Sequence, residues 1–459
     1  MVIWNKYAQI FYRKTANFRA LKGEGRKVRK GITVFSLLLG LTFFAASIMI
    51  AIPQIHASPA TIIVPDDEST IQDAITAASS GETILVKAGT WVGAVVNKSV
   101  KILGGYLGGE STIISGVPYK LGSTLETAFR LDAGADGAEI RDFTINCNSL
   151  ANFYFAVFSR GIDDVIVDFL IVNGAVQGIT NWGGSNWEIT NNLLNRTVAA
   201  GGGGIGVLLG ATPPTYIVCS GNLVQHNTVV ATATAAAYTT PGIVLALDLR
   251  YGAYDDLTGN EDLTGNKILD NQVAATGSDN TVGIEVGVIG LEGNATRIAA
   301  TLGLIHDNVI RGNVLDGADL GVYFYTVADL MILRNEIKNC DEGIHIEDGS
   351  SGNIIHCNNI FANTIGLNNT SGVLVDAENN WWGDPSGPSG VGPGSGDAVS
   401  DNVDYDPWET SYPACVPVGG VWTPINKFEL LAPYLGLASL IAVATVSIVY
   451  VKRRKNRNL

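Results

Sequence analysis

Residues 308–369 read NVIRGNVLDGADLGVYFYTVADLMILRNEIKNCDEGIHIEDGSSGNIIHCNNIFANTIGLNN, and two elements recur through them. One is Asn followed by alternating apolar positions and a second Asn five residues on, as in Asn308/Asn313 and Asn353/Asn358, with the slot degenerate at Leu330/Asn335. The other is Gly followed by a β-branched or apolar residue: Gly321-Val322, Gly343-Ile344, Gly366-Leu367. Asn313 to Asn335 spans 22 residues and Asn335 to Asn358 spans 23, the length of one turn built from three short strands and three corners. Strands this short cannot stand alone, so each turn must bury its inner face against its own copies. Asn suits the corners because it tolerates left-handed backbone and can hydrogen-bond to its counterpart in the next turn.

The pattern extends upstream through Asn186/Asn191, Asn222/Asn227 and Asn266/Asn271 and through Gly178-Ile179, Gly206-Val207, Gly242-Ile243 and Gly283-Ile284. The spacing is wider there: Gly206 to Asn222 is 16 residues and Gly242 to Asn266 is 24, against 10 from Gly343 to Asn353. Three turns therefore carry insertions at one corner, near residues 209–216, 250–264 and 287–304. The fold expected is all-β, a right-handed single-stranded parallel β-helix over residues 58–408. Residues 70–78 (TIQDAITAA) read as a helix capping its first turn, NNWWG (379–383) closes the repeats, and the Gly/Pro/Ser-rich residues 384–400 leave the solenoid.

Charge and hydropathy divide the 459 residues. Residues 31–52 carry no charge and follow the basic run KGEGRKVRK, so residues 1–57 read as a signal peptide or signal anchor. Residues 428–451 are again one bilayer long and precede a basic tail, 452–459, which predicts a transmembrane helix after a spacer at 409–427, with the tail cytoplasmic and the β-helix extracellular. Between them, residues 58–427 hold 15 basic against 41 acidic side chains, a surface that repels phosphate backbones and excludes a nucleic-acid partner. Five cysteines do not make a disulfide scaffold, and Cys340 and Cys357 are candidates for neighbours in adjacent turns.

The opening VPDDESTIQDAITAASSGETILVKAGTW (64–91), the Gly-Ile and Asn-x-Ile turns and NNWWGDPSGP (379–388) resemble the pectin-lyase-like right-handed β-helix proteins. They look most like the subset related to the β-helix domain of the periplasmic copper-accessory protein and to carbohydrate-binding or sugar-hydrolase modules. Residues 418–440 with the basic tail resemble the C-terminal anchor of archaeal surface proteins. The resemblance implies fold more than activity, because this fold hosts lyases, hydrolases, esterases and adhesins. A copper role calls for Met and His clusters, and the chain has three Met and five His.

Alternation places the second residue after each Gly outward, giving the column Thr180, Leu208, Val244, Glu285, Tyr323, His345, Asn368, with Trp182, Gly210, Ala246, Gly287, Tyr325, Glu347 and Thr370 beside it. Tyr323, Tyr325, His345, Glu285 and Glu347 are the candidate ligand residues, rings for stacking on sugars and carboxylates for their hydroxyls. Glu285, Glu347, Asp348 and His345 are the candidate catalytic groups. Asp255, Asp256, Glu261 and Asp262 are candidates for a weak calcium site. Asn97, Asn195, Asn294, Asn368 and Asn369 open N-x-[ST] sequons. Three functions fit: a membrane-tethered protein that binds glycan for adhesion or display, an extracellular polysaccharide hydrolase or lyase, and a structural envelope stalk without a ligand.

Overall fold

Strands of three residues with one inward side chain each recur in register up the molecule. Ile140, Val167, Ile189, Val224, Ile268 and Ile310 pair in sequence along a first face, and all are buried. A second face stacks Ile145, Val172, Leu194, Val229, Val273 and Leu315 in the same way. A third stacks Val157, Ile179, Val207, Ile243, Ile284, Val322, Ile344 and Leu367. The first two faces merge into one 21-stranded sheet and the third forms a 13-stranded sheet. The strand pairings between turns are parallel, so the chain advances one strand spacing, about 4.8 Å, per turn. This computed structural model describes residues 60–118, 124–147, 153–198, 204–233, 240–250, 257–277, 281–291 and 295–415. They wind as a right-handed parallel β-helix, the hand that twisted strands impose on parallel crossovers. The expected leader (1–57), membrane helix (428–451) and tail (452–459) lie outside the described residues, among which no helix is long and apolar enough to cross a membrane.

The corner between first and second faces takes two residues with separate tasks. The first turns the chain with left-handed backbone, at Asn191, His226, Asp270, Gly312, Arg334 and Cys357, where φ lies between 55° and 70°. The second is a buried Asn whose side chain stacks on the next turn. The amide of each donates to the carbonyl oxygen of the one above along Asn192, Asn227, Asn271, Asn313, Asn335, Asn358 and Asn380, at 2.9 to 3.0 Å. Each amide's other hydrogen reaches a backbone carbonyl of the turn below, such as Ile310 from Asn335 at 3.0 Å. Each side-chain oxygen also accepts a backbone N–H, so the column is fully satisfied inside the core. This corrects the reading of the earliest turn. Asn186 and Asn191 are left-handed corner residues, φ 58° and 56°, and the ladder positions are Trp187 and Asn192. A shorter ladder, Asn222–Asn266–Asn308, runs up the preceding corner and ends at Leu330, whose N–H still donates to Asn353 at 2.9 Å.

Glycine stands near the start of each third-face strand from Gln177–Trp182 to Ile365–Asn369 for lack of room. A Cβ on Gly206, Gly283 or Gly321 would lie 2.6, 2.4 or 2.4 Å from the carbonyl oxygen of the glycine in the next turn. The core mouth is covered by a helix, α1 (Ile71–Ala77), capped by Thr70 and burying Ile71, Ala74 and Ile75.

The C-terminal end differs from expectation in two ways. Residues 384–400 do not leave the solenoid: strands Pro388–Gly390 and Gly396–Val399 extend the third sheet beyond Ile365–Asn369, over a fully buried Trp382. Cys357 is bonded to Cys415, not adjacent to Cys340, which sits at a different corner and is a buried free thiol with Cys147 and Cys219. The disulfide, the Tyr412 hydroxyl donating to Glu336 at 2.8 Å and the Ala414 N–H donating to Asn359 at 2.7 Å hold residues 409–415, the start of the expected spacer, against the last turns.

Asn335→Ala removes four side-chain hydrogen bonds and strands the Asn313 amide, so it is expected to cost about 2–4 kcal/mol, read as a lowered urea midpoint; Asn339→Gly, which keeps the left-handed backbone (φ 55°) of an exposed corner and removes only a bond to Asp316, is expected to cost under about 1 kcal/mol.

Candidate functional site

The outward column on the third face assembles in the expected register: Thr180, Leu208, Val244, Glu285, Tyr323, His345 and Asn368 pair one to the next, with Trp182, Gly210, Ala246, Gly287 and Tyr325 alongside. Pointing outward does not make the whole column accessible. Leu208, Val244 and Ala246 are buried in a second apolar cluster with Trp182, Ile205 and Ile289 outside the sheet. The strands Leu193–Val198, Thr228–Ala233 and Gln272–Gly277, which lead to this edge, are each six residues long, where Val314–Asp316 and Glu336–Lys338 are three. These turns thus have extra chain on both sides of the third face. The insertion expected at 287–304 begins later, because Gly287 belongs to the strand Thr281–Ile289, and contains a helix, α2 (Ala295–Thr301).

Where the covered half ends, the polar patch begins. Glu285 is only 8% exposed. The Tyr325 hydroxyl donates to it at 2.9 Å, and the Tyr325 ring lies over Gly287, where a Cβ would come within 2.6 Å of it. Burial pushes the Glu285 carboxyl above its ordinary value, against the opposing pull of the Tyr325 bond and the Arg250 charge. Burial, with neighbouring carboxylates, likewise raises both tyrosine hydroxyls, so they stay neutral. Tyr323 packs on Tyr325 at 4.9 Å between centroids and meets His345 edge-on at 5.5 Å. His345 Nδ1 is 2.5 Å from Glu342 and its Nε2 3.7 Å from Glu347. Asn368 donates to Glu342 at 3.2 Å. The patch therefore unites Glu285, Tyr323, Tyr325, His345 and Glu347 and adds Glu342. Alternation alone missed Glu342, which lies three positions before His345 in the same strand and still reaches it. Asp348 is exposed at the corner beyond the strand.

The other candidates are placed elsewhere. Asp255, Asp256 and Asn294 lie outside the described residues. Glu261 accepts from Thr258 N, Thr258 Oγ1 and Gly259 N at 2.7, 2.9 and 2.9 Å; although burial raises its carboxyl, these donors outweigh it and hold it below the ordinary value. Asp262 accepts from Thr264 at 2.6 Å. Both acids thus staple their own loop. Among the sequons, Asn195 donates to Asn173 at 3.0 Å within an amide stack on the second face. Asn369 is buried with its amide on Val373 and Asn402 carbonyls, and Asn368 is in the patch. Asn97 is exposed.

A patch of this kind, rings and carboxylates in register on a parallel β-helix, defines the class. The model of the family described as "Periplasmic copper-binding protein (NosD)" matches residues 127–390, more than half the chain, and the chain belongs to that family. The sequence matches no curated protein. Among solved structures it is similar to the Azotobacter vinelandii mannuronan C-5 epimerase AlgE6 A-module (14% identity, 74% of this chain and 92% of that one, TM-score 0.45). It is also similar to an exopolygalacturonase from Thermotoga maritima (11%, 70% and 85%, TM-score 0.43). A GH87 alpha-1,3-glucanase catalytic domain is a third (14%, 77% and 69%, TM-score 0.36).

The described residues do not fit a copper donor set. They contain no group of three His, Cys, Asp or Glu able to hold a metal. His306, His345 and His356 each face a carboxylate in a different place. Burial pushes the thiols of Cys147, Cys219 and Cys340 up to about 12, far from thiolate.

Because the folded-state value of Glu285 is raised, its ionisation opposes folding: the cost is absent below the unfolded carboxyl value and grows as pH rises through the folded one. Glu285→Gln is expected to raise the melting midpoint above wild type at pH 8 and to match it at pH 4, by scanning calorimetry across pH. In a glycosylating host, peptide mapping is expected to find Asn97 modified and Asn195 and Asn369 bare.

Proposed function

We propose that the chain is an exported, membrane-tethered β-helix protein that binds polysaccharide on its third face, for adhesion or surface display. The observation that carries this is the strip formed by Glu285, Tyr323, His345 and Asn368, one residue per turn in parallel register. The three turns that reach solvent, Tyr323 to Asn368, span about 10 Å at the ordinary strand spacing, long enough for about two sugar rings in a row. Tyr323 offers a half-exposed ring face, and Glu342, Glu347 and Asn368 offer hydroxyl-pairing groups beside it. The covered apolar cluster ends the strip on one side.

The family's description as periplasmic supports a β-helix outside the cytoplasm. The apolar runs at 31–52 and 428–451, each bordered by basic residues, support tethering with a cytoplasmic C-terminus. Binding is favoured over hydrolysis by the state of the acids. Glycoside hydrolysis needs two carboxyl groups facing one bond, whereas Glu285 is shielded by the Tyr325 ring and engaged by its hydroxyl, and Glu347 stands 47% exposed.

The test is a glycan array probed with the full chain, reading both retention and the length of each retained glycan. Retention reduced about tenfold or more by Tyr323→Ala, with glycan length unchanged, is expected. Shortened glycans would replace binding with hydrolysis or elimination, and an array without retention would leave a structural stalk.

A further inference from the structure

A cavity lies at the opposite corner, on residues that the patch does not use. Between the first and second faces a cavity of about 690 Å³ is lined by Arg311, Gly312, Leu333, Arg334, His356 and Cys357, with Asp270 at one end. Arg311, Leu333 and His356 are register partners in successive turns. Arg334 is the left-handed corner residue directly after Leu333, so the two guanidinium stems are diagonal neighbours one turn apart.

The charges around the cavity are spoken for, except those two. Asp270 accepts from Gln225 at 3.0 Å and faces His226 at 3.8 Å. His356 is paired with Asp376. Arg311 and Arg334 are exposed, and neither is paired with a carboxylate among the described residues. In a segment with 41 acidic and 15 basic side chains, two unpaired arginines opening on one cavity stand out. The cavity has its depth because position 312 lacks a side chain: a Cβ there would sit 2.2 Å from Asp270 Oδ1. Its floor includes the half-buried Leu333, and the Cys357–Cys415 disulfide stands at its far end.

We propose that Arg311 and Arg334 bind an oxyanion, a carboxylate or sulfate, borne on a sugar ring that covers Leu333. Guanidinium forks match the planar pairs of oxygens on such groups, and the cavity volume accommodates a ring as well as its charge. An acidic sugar and a free inorganic oxyanion share this chemistry, and the probes separate them.

The experiment is calorimetric titration of the full chain in detergent with galacturonate, sodium sulfate and a neutral methyl galactoside. Saturable galacturonate binding is expected, weakened about tenfold or more by R311Q and by R334Q, the scale of one lost charge-assisted hydrogen bond. R311K, which keeps charge but not the fork, is expected to lose part of the affinity. K267Q, which removes an exposed cation of the same sheet outside the cavity, and Y323A are expected to leave it unchanged. Galacturonate binding tighter than sulfate supports the sugar-borne group; equal binding supports an oxyanion site for the free ion and removes the sugar. No saturable binding, equal binding of the neutral galactoside, an unchanged affinity in the double variant R311Q/R334Q, or an equal loss in K267Q overturns the site. Since the third-face reading is tested at Tyr323, either proposal can fail alone.

Discussion

A column of buried asparagine amides is the constraint on which the rest of this molecule depends. A short strand must be followed by a sharp corner, and a sharp corner leaves backbone N–H and C=O groups facing the core without partners in their own turn. From Asn227 to Asn358 one side chain per turn meets that need, accepting two hydrogen bonds from the turn below, donating one to the ladder oxygen above and one to a backbone carbonyl below. The corner residue before it adopts left-handed backbone, which costs a residue with a Cβ about 1–2 kcal/mol. That His226, Arg334 and Cys357 accept this conformation shows how strongly the ladder holds the corner, and it leaves their side chains free to differ outside. The cavity between Arg311 and Arg334 and the disulfide at Cys357 both grow from that freedom.

The third face is governed by a different limit. Its entry glycines are pressed against the carbonyl of the next turn, and Glu342, the residue before one of them, reaches His345 at 2.5 Å. Turns with extra chain at the edges of this face bury their outward residues, and turns without it leave Tyr323, His345 and Asn368 half-buried. The boundary falls at Glu285, the place where burial and a single tyrosine hydroxyl act on a carboxyl together.

Much of the architecture was legible because a solenoid repeats its constraints at the interval of one turn. The 22- and 23-residue spacings from Asn313 to Asn358 give the turn length, and alternation after each glycine gives the outward column that the pairings reproduce. Legibility failed where one residue type serves two tasks or composition hides an edge strand. Asn186 and Asn191 look like ladder members and are corner residues, because asparagine suits both positions and only the stacking partner tells them apart. Residues 384–400 look like a linker by composition, yet edge pairing recruits them to the third sheet.

The sequence by itself determined the class of fold, the turn length, the inward and outward faces and the acidic character of the surface, since each follows from periodicity and charge counted along the chain. Only the tertiary structure decided which outward residues meet solvent, which cysteine reaches Cys415, and which arginines are left without a partner. Those are distances between turns, and residues 58 apart in the case of the disulfide. No local pattern encodes them, because the length and path of the intervening chain, not its period, set where its ends meet.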